Sequence, residues 1–139
     1  MEIRRIKTQV IESVWEWHSE ESGTLININT ESDIQLGFNI RKIPDGTILF
    51  NCAFDLKIKD TNSDCIEFHL FVLNTIDNYS LRPKVEDLME VFRKSTIVFK
   101  ESLFKEAAKH NVQNLNIGGI AFDDHTARKE IIMVLNNAY

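Results

Sequence analysis

The chain has 139 residues, a net charge of −5 and ordinary apolar content, which suits one globular domain over its whole length and argues against disorder. The acidic balance argues against a nucleic-acid partner, whose footprint is a concentrated basic surface; Arg4, Arg5 and Lys7 are too few to supply one. No apolar run approaches the roughly 20 residues of a membrane span. The start, MEIRRIKTQV, has no apolar signal region, and two cysteines make no disulfide scaffold, so a cytoplasmic, reducing location is expected.

Met1 to Trp17 mixes β-branched, aromatic and polar residues and reads as an extended strand. Unbroken alternation puts Ile6, Thr8, Val10, Glu12, Val14 and Glu16 on one face. It puts Arg5, Lys7, Gln9, Ile11, Ser13, Trp15 and Trp17 on the other. His18 to Thr24 is a polar turn, and Leu25 to Asn29 reads as a short strand.

Ile34, Leu36, Phe38 and Ile40 form the inward face of the next strand. Thr47 to Lys59 alternates most strongly, with Ile48, Phe50, Cys52, Phe54, Leu56 and Ile58 apolar. Between these strands lies Pro44-Asp45-Gly46. A two-residue turn would set the two apolar faces on opposite sides. A three-residue loop, a type I turn closed by a left-handed glycine, pairs Phe38 with Cys52 and Leu36 with Phe54. Cys65 to Ile76 continues the meander with Ile66, Phe68, Leu70 and Val72 inward, after an odd-length loop within Thr61 to Asp64.

From Pro83 the period changes. Val85, Leu88, Met89, Phe92, Thr96, Phe99, Leu103 and Ala107 recur at helical spacing. Pro83 suits a first helical position, Glu86 and Asp87 the positive dipole end, and Lys105, Lys109 and His110 the other. Asn111 is the expected left-handed stop. Such a helix, about 40 Å long, would outrun strands of about 33 Å. A linker ending in Gly118-Gly119 precedes a second helix capped by Asp123 or Asp124, with Ala127, Ile131, Val134 and Leu135 on its apolar side. The expected class is α+β: an antiparallel four-stranded meander, a long helix, a linker and a C-terminal helix.

Chemistry is sparse. Cys52 faces the core and Cys65 the opposite side, too far along the sheet for a disulfide, so Cys52 is a buried thiol. His18, His69, His110 and His125 show no metal spacing, and neither a CxxC nor a phosphate-binding glycine loop is present. Asp123-Asp124 reads as helix capping before cation binding, and Glu20-Glu21 as a solvated turn. No catalytic residue, metal or cofactor is expected. The informative excess is apolar: Phe71 and Leu73 lie on the outer face of their strand beside Ala53 and near Leu49, and Trp15 and Trp17 share one side of theirs. A contiguous patch of this kind suggests an interface.

Several stretches resemble the SecB-like export chaperones. Ile3-Arg4-Arg5-Ile6-Lys7-Thr8 is similar to the family's opening strand, and the meander from Ile34 to Ser80 has comparable strand and hairpin lengths. Leu115-Asn116-Ile117 followed by Phe122-Asp123 resembles the family's Leu-Asn-Leu-Ala-Pro-Val-Asn-Phe-Asp stretch between helices, and Arg93 resembles an arginine of the family's long helix. Gly118-Gly119 replaces the family's Ala-Pro, and the distance from Arg93 to Leu115 is longer. The resemblance implies a non-enzymatic homo-oligomer, tetramer or dimer, that holds unfolded polypeptide clients or a protein partner. It also implies an acidic outer sheet face for a SecA-type motor; Asp55 and Glu67 lie there, offset by Lys57 and Lys59. Trp15, Trp17, Phe71, Leu73 and Phe122 are the expected peptide or interface surface. The alternatives are an oligomerisation domain without clients and, third, a small α+β enzyme with a pocket between sheet and helix.

Overall fold

A computed structural model describes residues 6–18, 32–59, 65–77, 82–110 and 122–139. Four strands, β1 (Ile6–His18), β2 (Ser32–Lys42), β3 (Ile48–Lys59) and β4 (Cys65–Ile76), precede helices α1 (Val85–Lys109) and α2 (Asp124–Ala138). The class is α+β, with a four-stranded antiparallel sheet in the order β1-β4-β3-β2. β2, β3 and β4 form the meander; β1 joins its far edge beside β4.

The alternation of β3 sets the frame. Phe38 pairs with Cys52 and Leu36 with Phe54, the register that a three-residue turn demands. In that turn Gly46 adopts φ 93°, which a side chain would disfavour. Ile43 and Thr47 close the loop by an N–H to carbonyl bond of 2.8 Å, and the Thr47 N–H donates to Asp45 Oδ1 at 2.9 Å. Pairing of Ile58 with Ile66 keeps the apolar set of β4 on the same side as that of β3. The short strand expected over Leu25 to Asn29, the loop within Thr61 to Asp64, the Asn111 stop and the Gly118-Gly119 linker lie outside the described residues.

Both helices cover this inner face, α1 over β3 and β4 and α2 over β2. Phe50, Phe54, Phe68, Leu70, Val72, Phe92, Phe99 and Ile131 are fully buried between the layers. Phe54 stacks on Phe99 with centroids 4.8 Å apart, and Phe38 meets Phe92 edge-on at 5.3 Å. One polar network, centred on the buried Asn74, reaches into this core. Asn74 accepts from the Thr8 hydroxyl at 2.7 Å and its amide donates to Ser95 Oγ at 2.9 Å and to the Phe50 carbonyl at 3.3 Å. The buried residue of α1 at this point is therefore Ser95, and the expected Thr96 instead lies half-buried, its hydroxyl donating to the Arg93 carbonyl.

Two details differ from expectation. Pro83 is buried but precedes the N-cap residue Lys84, so it fixes the approach to α1 rather than its first turn. The strands run to 11–13 residues, about 36–44 Å. The 25 residues of α1 span about 37 Å, so helix and strands match in length. The second helix begins where expected: Asp123 caps it, accepting from the His125 N–H at 3.0 Å and the Thr126 hydroxyl at 2.6 Å. Arg93 reaches Asp124 at 3.3 Å, and Arg128 pairs with Glu86, so the two helices are clasped at their exposed rims.

Candidate functional site

The other face of the sheet defines the candidate surface, because both described helices pack on the inner one. Cross-strand pairing places Ala53 beside Phe71, Asn51 beside Leu73, and Leu49 beside Thr75. On the far side Leu73 meets Gln9, Phe71 meets Glu12, and His69 meets Val14. Leu49, Ala53, Phe71, Leu73 and Val14 are all half-buried and share this face, interspersed with Asn51, Thr75 and Glu12. Phe71 and Leu73 thus lie where the alternation put them.

Trp15 does not join them. β1 carries a bulge between Val10 and Glu12, so Ile11 is an extra residue without a partner on β4. One inserted residue turns every later side chain to the opposite face. Before it, Ile6, Thr8 and Val10 oppose Ile76, Asn74 and Val72; after it, Ser13, Trp15 and Trp17 oppose Leu70, Phe68 and Ile66. Trp15 therefore turns inward, 6.0 Å from the Phe68 ring and stacked on His110 at 4.8 Å. It joins the end of α1 to β1. Trp17 takes an inner-face backbone register opposite Ile66. Phe122 is likewise a core element: it stands edge-on to Phe54, Phe92 and Phe99 at 5.8, 6.2 and 5.9 Å.

One end of the outer face is ionic. Lys57 Nζ lies 3.4 Å from Glu67 Oε1, and His69 stands between Asp55, 3.2 Å from Nδ1, and Glu67, 3.6 Å from Nε2. The opposite end carries Lys7 and Arg41, both exposed. The acidic pair Asp55 and Glu67 thus lies beside Lys57 and His69, and a purely acidic docking face is not what the residues form.

A second apolar feature escaped the sequence reading. Ile97 and Phe104, 58% and 65% exposed, lie two turns apart on the solvent side of α1. Their spacing of seven residues, out of phase with the buried stripe, was the available signal. Cys52 is a buried thiol whose desolvation pushes its pKa up to about 12, against a weaker opposing contact from Ser95, so it is chemically quiet. No described helix is long and apolar enough to cross a membrane.

The site and fold define a class: an α+β domain with helices on one side of an antiparallel sheet and a partly apolar sheet face on the other. No family model and no curated protein matches the chain.

Proposed function

We propose that this protein is a divergent SecB-like module that holds unfolded polypeptide segments through apolar surface, without catalysis and as a homo-oligomer. The observation that carries this reading is the sheet face centred on Phe71, Leu73, Ala53, Leu49 and Val14, on which neither described helix packs. An extended apolar segment gains free energy by removing such a surface from water, at about 25 cal/mol per Å². The element order, sheet then long helix then second helix, is also the one the family resemblance implies. The polar ends of the face leave room for backbone and charged groups of a client, as in other recognition of extended peptides.

A competing reading is an oligomerisation domain without clients, favoured by the exposed Ile97 and Phe104 on α1. The two separate in one experiment. A reduced, unfolded test protein is mixed with the chain at equal molar ratio, and light scattering and elution volume are recorded. Suppressed aggregation supports holding. An oligomer that leaves aggregation unchanged supports the competing reading, and a monomer without effect overturns both.

A further inference from the structure

We infer that Glu16, Glu67 and His69 form a binding site for a divalent transition cation of the zinc class, with Asp55 orienting the imidazole. This inference does not rest on the holding function.

The sheet register assembles the site from residues that sequence spacing scatters. Glu67 and His69 alternate on β4, so both project to the outer face. Glu16 is the direct cross-strand partner of Glu67, and Asp55 that of His69. Glu16 reaches this face only because the bulge at Ile11 resets the second half of β1. The histidine's sequence neighbours could not reveal this, which is why no metal spacing is visible in the chain.

The geometry suits a shared ion. One donor atom from each of Glu16, Glu67 and His69 lies within 4.8 Å of the others. His69 Nε2 and Glu67 Oε2 are 3.6 Å apart. Donors about 2.0–2.1 Å from a tetrahedral zinc stand about 3.3–3.4 Å from one another. Glu67 and His69 are therefore nearly in place, and a carboxylate oxygen of the exposed Glu16 lies within 4.8 Å of both. Lys57 contacts Oε1 of Glu67, which leaves Oε2 on the side of the imidazole.

The second observation is an orphaned acceptor. Asp55 Oδ1 is buried and forms no hydrogen bond, although His69 Nδ1 is 3.2 Å away. A buried carboxylate oxygen left in that state is costly. Placing the imidazole proton on Nδ1 supplies its donor and presents the Nε2 lone pair to Glu16 and Glu67. A carboxylate behind a ligating histidine is the usual way a protein fixes the ligand tautomer. Glu16 and Glu67 stand directly opposite each other across the sheet, a juxtaposition of like charges that a dication relieves. The mixed nitrogen and oxygen donors favour Zn²⁺ over Mg²⁺ or Ca²⁺, and three protein ligands leave a position for water.

The test is titration of the tag-free full chain with Co²⁺, read by visible absorption, and with Zn²⁺, read by calorimetry. One ion per chain is expected. Glu16→Gln and His69→Ala should each weaken binding by at least about tenfold. Asp55→Asn, a positioning change, should weaken it about 10–100-fold and alter the Co²⁺ spectrum. His125→Ala, on α2, should leave binding unchanged, and circular dichroism of each apo variant reports folding. Absence of saturable uptake by the folded chain overturns the inference. So does uptake that survives His69→Ala, in which case His69 serves only as an ion-pair partner of Asp55 and Glu67.

Discussion

Asn74 shows how much a single side chain carries. It is fully buried, and its amide and carbonyl link β1, β3, β4 and α1 through Thr8, Phe50 and Ser95. Asn74→Ala removes the donor that the buried Ser95 hydroxyl and the Phe50 carbonyl share, so urea unfolding should show a loss of about 1–3 kcal/mol. Phe54 sits among Phe92, Phe99 and Phe122, and Phe54→Ala should cost about 3–5 kcal/mol in the same measurement. Cys52 provides the pH dependence. Its thiol is raised from 9.0 to about 12, so its contribution to stability is complete below pH 9 and is lost as pH rises toward 12. In a Cys65→Ser background, alkylation of native protein near pH 9 should leave Cys52 unmodified, while unfolded protein reacts at once. Rapid native-state alkylation would contradict its burial.

At the scale of elements, the bulge in β1 and the turn at Gly46 decide which faces are which. Deleting Ile11 should remove the bulge and leave Trp15 on the inner face beside Phe68 and His110, because Glu12 then follows Val10 directly opposite Phe71. In a Trp17→Phe background the expected readout is an unshifted tryptophan emission. A red-shifted spectrum would mean that Trp15 has left the core and that the extra residue is not Ile11. The Pro44-Asp45-Gly46 turn was legible from residue types alone, because only an odd loop lets both apolar faces meet. The bulge was not: Ile11 is a β-branched residue in a β-branched strand, and nothing local marks it as extra. The same contrast holds in α1, where the choice of Ser95 over Thr96 follows from the position of Asn74 across the layer interface.

For the whole molecule, the consequence is a division of labour between sheet faces. The inner face, with Trp15 and Phe122 added to it, holds the helices. The outer face keeps Phe71 and Leu73 at its centre and an ionic group at one end. If the outer centre holds clients, Phe71→Asp should abolish suppression of aggregation while changing the unfolding midpoint little, since that side chain is only half-buried. Phe104→Asp should instead leave client holding intact and shift the elution volume, separating self-association through α1 from client capture. Loss of both properties in either variant would merge the two surfaces into one.

Hydrophobic periodicity alone determined the order of strands and helices, the register of β2 on β3, and the positions of Phe71 and Leu73, because each depends on neighbours within one hairpin. It could not determine the partner of β1, since β1 pairs with β4, distant in sequence, and its bulge is settled by what lies opposite it. Only the tertiary structure turned Trp15 and Phe122 into core and gathered Glu16, Asp55, Glu67 and His69 from three strands. Side chains that meet across a sheet share no spacing along the chain; pairing between strands brings them together.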